Sequence, residues 1–210
     1  MSRYRNLLVE SGAIVEDHFV YNSGQHGRLY VNKTAGFVPV SHAKAFARAI
    51  ADEFDNVEAV VGPELGAIAL MAHVAAYLLD TRPSAEVYEV MATKIPGINP
   101  QEFEIARDQA RFLVGKRVLL VEDILTQGIN ARGSVAAIQK AGGIIIGAGV
   151  LWNRGSVTAE TIGVPKLFSL IDEPLQSYDE DDCPMCRMGV PVNTELGKGK
   201  QFLERKHRPH

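Results

Sequence analysis

Apolar residues recur along the chain in two alternating rhythms. In "SHAKAFARAIADEF" (41–54), Phe46, Ile50 and Phe54 stand four apart with charged residues between them, the spacing of one buried helical stripe with Ser41 as its cap. The stretch "VEAVVGPELGAIALMAHVAAYLLD" (57–80) reads as a short β-branched run, a Gly/Pro turn and a long buried helix. The same order returns at "AEVYEV" (85–90), at "RVLLVED" (117–123) followed by "ARGSVAAIQKAGG", at "IIIGAGVLWNRG" (144–155) and at "KLFSLI" (166–171). Apolar runs without alternation predict strands covered on both faces, and strands alternating with helices predict an α/β fold with a parallel sheet.

Two regions break the rhythm. "KIPGINPQEFEIARDQA" (94–110) is rich in turn residues and charges, as a lid or a β-hairpin excursion would be. Residues 172–210 begin acidic, end basic and lack periodicity. The chain shows no internal repeat and no low-complexity tract.

Bulk properties narrow the function. A chain of 210 residues with 46% hydrophobic content buries a full core and is not a disordered protein. The net charge of -3 gives no basic footprint for nucleic acid, so no nucleic-acid partner is expected. The opening residues lack the apolar stretch of a signal peptide, and no later run reaches the length of a membrane span. The expectation is a soluble cytoplasmic protein with no membrane partner. The two cysteines, Cys183 and Cys186, lie together in "CPMC", which leaves no disulfide framework across the chain.

The chemistry concentrates in "VLLVEDILTQGINARGSV" (118–135). Ligands of an open parallel sheet bind beyond the carboxyl ends of its strands, so Glu122 and Asp123 stand at the mouth of a site. The following residues can wrap backbone N–H groups around an anion before a helix N-terminus, with Thr126 and Asn130 as further hydrogen-bonding groups and Gly128 allowing close approach. Acids beside such a cradle point to a phosphorylated polyol. The alternative is that the two acids cap the loop or pair with Lys116 and Arg117.

These residues carry a resemblance. "VLLVEDILTQGINARGS" is similar to the ribose-phosphate signature of type I phosphoribosyltransferases. "FVYNSGQHGRLYVNK" (19–33) resembles the base-binding segment of the orotate branch of that family, "VVGPELGAIALMAHVA" its pyrophosphate-side loop and helix, and "GVLWNRG" (149–155) the strand that ends in an Arg for the base. "CPMCRMGVPVN" is similar to the tail of some orotate-type members. The resemblance implies a parallel sheet of about five strands flanked by helices. Its parts would be an N-terminal hood and base-binding segment (1–40), a core (41–171) with a lid at about 94–110, and a C-terminal extension (172–210) that completes the hood. It also implies a homodimer, and Mg²⁺-dependent transfer of a phosphoribosyl group from phosphoribosyl pyrophosphate to a base such as orotate.

Carried over by resemblance, Glu122 and Asp123 hold the ribose hydroxyls, and Lys94 serves the chemistry from the lid. Thr126, Gln127, Gly128, Ile129 and Asn130 line the phosphate loop. Gly62, Pro63, Glu64, Leu65 and Gly66 form the pyrophosphate-side loop, and Arg154, His26 and Lys33 face the base. Physical chemistry supports such roles: positive charge develops on the ribose as its C–O bond breaks, which nearby carboxylates favour, and an Arg fork pairs a planar carboxylate.

The sequence also departs from the family. The phosphate loop reads Thr-Gln-Gly-Ile-Asn, which puts the bulky Ile129 where the family carries a small residue. The lid holds only Lys94, Arg107 and Arg111 as cations, interspersed with Glu102, Glu104 and Asp108, and "GPELG" carries Glu64 where many members carry Lys. These departures keep a second reading open, a non-catalytic member that binds nucleotide or phosphoribosyl pyrophosphate and regulates a partner. His18, His42 and His73 read as structural or solvated, and Trp152 as a stacking ring or a core filler. "CPMC" has the spacing of a zinc knuckle, so Cys183 and Cys186 are candidate Zn²⁺ ligands. A closed site needs four ligands, which His207 and His210 or a second subunit would complete. The alternative is a packed pair of reduced thiols.

Overall fold

The computed structural model describes residues 3–32, 35–82, 86–97 and 102–206. Helix α1 (Arg3–Glu10) leads into an antiparallel hairpin of β1 (Ile14–Val20) and β2 (His26–Val31), then α2 (Val40–Ala51), β3 (Ala59–Pro63), α3 (Ile68–Thr81) and β4 (Tyr88–Lys94). There follow β5 (Phe103–Ile105), α4 (Arg107–Ala110), β6 (Arg117–Leu125), α5 (Ile129–Lys140), β7 (Ile144–Asn153), α6 (Ala159–Ile162) and β8 (Leu167–Asp172). Two short helices, α7 (Pro184–Arg187) and α8 (Gly199–Lys206), close the chain.

Six strands form one sheet in the order β5-β4-β3-β6-β7-β8. All neighbours are parallel except β5, which runs antiparallel to β4. The apolar runs thus become the parallel strands flanked by helices. The described residues around segment 94–110 form an antiparallel excursion: Ala92, Thr93 and Lys94 pair with Ile105, Glu104 and Phe103, and the Ile95 N–H donates to Glu102 O. This pairing carries β4 past the predicted end at residue 90.

Strand β6 feeds two cores. Val118 and Leu120 join one hydrophobic cluster with residues of α5, while Leu119 and Val121 join the other with residues of α2 and α3. Ser41 is not the cap of α2. Pro39, in extended conformation, holds that position without a side-chain bond, and Ser41 lies inside the first turn. The helix ends at Ala51 as the chain tightens, with Glu53 and Phe54 N–H donating three residues back, yet Phe54 stays buried.

From β3 the chain crosses through α3 to β4 on one side, and from β6 through α5 to β7 on the other. The carboxyl ends of β3 and β6 therefore flank the point where strand order reverses, the place where open α/β sheets bind ligands. No described helix is long and apolar enough to cross a membrane.

Leu119, with no exposed surface in the central strand, sets a stability expectation. Leu119→Ala should destabilise the chain by roughly 2–5 kcal/mol in urea unfolding, whereas Val114→Ala at an exposed site should stay within about 0.5 kcal/mol. Equal effects would show that β6 is not held as described.

Candidate active site

Four parallel strands bring the sequence-predicted groups to one end of the sheet. At the end of β6, Glu122 and Asp123 are 4% and 2% exposed. Asp123 Oδ1 accepts the Ile124 N–H at 2.6 Å, and Glu122 Oε1 accepts the Asp123 N–H at 3.3 Å. Lys116 and Arg117 stand at the opposite end of the strand. Lys116 Nζ is 3.0 Å from Glu58 Oε1, and the Arg117 N–H donates to Glu58 Oε2 at 3.0 Å. Pairing with these cations is therefore not the reason for the two acids.

The loop after β6 turns on Gly128, whose φ of 69° lies in the left-handed region. A Cβ there would meet Ile162 Cγ2 at 2.7 Å, so packing as well as conformation demands glycine. Ile129 is the first residue of α5, and the positive φ falls on its neighbour, so its β-branched side chain meets no backbone conflict. Helix α5 has no side-chain cap, which leaves its first-turn N–H groups directed at whatever the loop encloses. Glu122 and residues 124–131 line a cavity of about 190 Å³ at this point.

The loop expected on the pyrophosphate side, Gly62 to Gly66, begins in the last two residues of β3, and its Glu64–Leu65 peptide is cis. Glu64 Oε1 accepts the Lys94 N–H at 2.9 Å, and the Glu64 N–H donates to Ala92 O. The Glu64 carboxylate thus ties the loop to β4. A Cβ on Gly62 would stand 3.2 Å from those of Ala67 and Met71, a close contact between β3 and α3. Leu65 is exposed. Lys94 Nζ lies 6.0 Å from the Phe103 ring centroid in the hairpin.

Arg154, just past β7, donates from Nε to Thr126 Oγ1 at 2.9 Å, while its backbone N–H donates to Leu125 O. The next residue permits this approach: a Cβ on Gly155 would fall 1.6 Å from Thr126 O. Asn153 clamps the turn by donating to Val157 O and accepting the Val157 N–H. Thr126, Gln127 and Arg154 share a cleft of about 630 Å³ with Tyr21, Ser23 and Gln25 of the hairpin and with Ser177 and Lys198 of the C-terminal segment. The Tyr21 hydroxyl donates to Leu29 O, and burial pushes its pKa above the usual phenol value.

One expectation changes here and two open ones resolve. His26 does not line the cleft; it is fully buried against His18, because β2 turns it toward the C-terminal segment. Trp152 is a core residue whose Nε1 donates to Glu173 O. His18 is neither solvated nor alone, since Cys183, Cys186 and His26 surround it. Burial, then the proximity of Cys183, pushes the Cys186 thiol up to about 11. Burial, then the charge of His18, holds the His26 imidazole below its ordinary pKa. Lys33, His207 and His210 lie outside the described residues. Sequence reasoning missed Tyr21, Gly155 and Lys198. The glycine following Arg154 at a strand end was the one local signal.

No protein-family model matches the chain. It is 30% identical over 188 residues to the orotate phosphoribosyltransferase of Pelotomaculum thermopropionicum, covering 89% of this chain and 92% of the relative. It is 28% identical over 199 residues to that of Thermotoga maritima, covering 93% and 98%. Among solved structures, orotate phosphoribosyltransferase from Aeropyrum pernix superposes with a TM-score of 0.62 at 20% identity, over 79% of this chain and 91% of that one. The Mycobacterium tuberculosis enzyme in complex with 5-phospho-alpha-D-ribosyl 1-diphosphate superposes at 0.59 and 22% identity, over 80% and 94%.

If the glycine contact shapes the anion loop, Gly155→Ala should weaken inorganic phosphate binding about tenfold or more, about 1.4 kcal/mol by calorimetry. The far-UV circular dichroism should not change. Unaltered affinity would separate the loop from phosphate recognition.

Proposed function

The chain belongs to the orotate phosphoribosyltransferase family, and from that premise we propose that it transfers the 5-phosphoribosyl group of phosphoribosyl pyrophosphate to a ring nitrogen of orotate, releasing pyrophosphate. The observation that carries this reading is that the cavity at the uncapped helix N-terminus and its glycine loop, which Glu122 also lines, adjoins the cleft of Arg154 through Thr126 and Gln127, beside two buried acids.

In this reading the N–H groups of residues 128–130 and the Thr126 hydroxyl take the 5′-phosphate, where the start of α5 adds partial positive charge. Glu122 and Asp123 accept from the ribose hydroxyls. The C1–O bond to pyrophosphate breaks as the C1–N bond to the base forms, and the ring carries positive charge in between. Two carboxylates fixed beside the ring favour the transition state over the neutral sugar. Within residues 62–66, Leu65 and Gly66 supply backbone N–H groups on the pyrophosphate side, since Pro63 has none and that of Glu64 is taken by Ala92 O, and Lys94 adds a cation from the hairpin. Arg154 pairs the carboxylate of the base, a contact that rejects analogues lacking one. Lys33 is assigned to the same wall, and the β1–β2 hairpin with the C-terminal extension forms the hood.

Carboxylate and phosphate oxygens are the donor set that Mg²⁺ takes, so Glu122 and Asp123 fit an ion shared with the donor. When bound, Mg²⁺ supplies charge neutralisation at the departing pyrophosphate. A cytoplasmic location and a homodimer belong to the same proposal, the latter as an implication of the resemblance.

The test is pyrophosphate release from phosphoribosyl pyrophosphate with Mg²⁺ and orotate, uracil or adenine. Orotate alone should support release. Asp123→Asn and Glu122→Gln should each lower kcat/KM by about 10²–10³, and Arg154→Ala should act chiefly by raising KM for orotate. Calorimetric binding of the donor without release for any base would overturn the catalytic reading and leave a nucleotide-responsive regulator.

A further inference from the structure

Outside the cleft, four side chains from distant parts of the chain converge on one point. His18 stands in β1, His26 opens β2, and Cys183 and Cys186 flank the start of α7. One ligand atom from each lies within 4.8 Å of all the others. His18 Nε2 is 2.9 Å from His26 Nδ1, 3.6 Å from Cys183 Sγ and 3.7 Å from Cys186 Sγ, and Cys186 Sγ is 3.3 Å from His26 Nδ1. A tetrahedron built on ordinary zinc–sulfur and zinc–nitrogen bonds has edges of about 3.3–3.8 Å. The three sulfur–nitrogen spacings of 3.3, 3.6 and 3.7 Å fall on those edges, the nitrogen–nitrogen spacing of 2.9 Å is shorter, and the remaining pairs lie within 4.8 Å.

We propose that His18, His26, Cys183 and Cys186 form a closed structural zinc site that fastens the N-terminal hairpin to the C-terminal segment. The set of two sulfurs and two imidazole nitrogens in tetrahedral array is the donor chemistry that selects this ion, and with four protein ligands no position stays open for catalysis.

The surroundings fit a ligand role. His18 Nδ1 lies 2.7 Å from Val190 O, and a carbonyl can only accept, so Nδ1 carries the hydrogen and Nε2 points its lone pair at the cluster. Metal-bound imidazoles are held in this way by their second nitrogen. A register shift between Glu16 and Phe19 falls on His18, and such bulges re-aim a side chain. The polar contacts of the His26 ring lie on the cluster side, through Nδ1, while Nε2 is buried without a hydrogen-bond partner among the described residues. Phe202 of α8 packs edge-on against that ring at 4.9 Å between centroids.

The site also answers a structural need. An isolated two-stranded hairpin is marginally stable. Phe19, Val20, Cys183, Met185 and Phe202 are buried, yet none belongs to either main hydrophobic cluster. Small units with little core of their own commonly add a metal. Backbone bonds already mark the junction: His26 exchanges N–H and C=O bonds with Tyr178, and the Asn193 N–H donates to His18 O. The hairpin held there carries Tyr21, Ser23 and Gln25 of the cleft. The zinc expectation for the two cysteines thus acquires different partners from those the sequence offered.

The purified full chain should contain about one zinc per chain by mass spectrometry, falling to about a tenth or less in Cys183→Ser, Cys186→Ser and His18→Gln. Should those variants fail to fold, cobalt exchanged into the unmutated chain gives the independent reading. The intense visible bands of a tetrahedral thiolate site should saturate at one equivalent. Substoichiometric zinc after reconstitution with no cobalt bands would overturn the proposal, as would iron or copper in its place or a mass two hydrogens lower from a Cys183–Cys186 disulfide. Neither readout depends on turnover, so failure here leaves phosphoribosyl transfer standing.

Discussion

Strand β6 is hydrogen-bonded to β3 on one side and β7 on the other, with side chains locked into both cores. Its last residues therefore have little freedom, and the placement of the cleft follows from that. Carboxylates favour a developing cation only if they need not move to meet it. Glu122 and Asp123 would meet that condition in the proposed transfer because Val118, Leu119, Leu120 and Val121 are fully buried behind them.

Close backbone approach sets the rest of the site. Gly155 brings the turn after β7 against Thr126, and Gly128 brings the loop against Val157 and Ile162. These contacts put Arg154 and the anion loop into one wall. On the other side, the Glu64 carboxylate holds the Lys94 amide, so the loop after β3 and the end of β4 form a unit. The acid that looks misplaced beside a pyrophosphate in the sequence has a structural partner.

What the sequence revealed follows from where structure is set locally. The strands under the site were legible because burial on both faces leaves an uninterrupted apolar run. The acids stood out because they end such a run. The β1–β2 hairpin was not legible as strands: its bulge breaks the period-two pattern and leaves Glu16 and Asp17 both exposed, between half-buried Val15 and buried His18. His18 and Cys183 are 165 residues apart, and nothing local in either segment announces the other. Ser41 misled because a capping residue one turn fragment too late looks the same in sequence. Ile129 looked too bulky for its place, yet it opens α5 and the tight left-handed turn falls on Gly128 before it.

The antiparallel excursion that carries Lys94 is also where the sheet stops. Strand β5 is three residues long and terminates the sheet beyond β4. An open strand edge invites pairing with another molecule, and short length and charge are what discourage it. Glu102 and Glu104 are exposed along this border while Phe103 between them is buried. Glu102 and Glu104 thus put charge on this border, the feature by which sheet edges discourage such pairing.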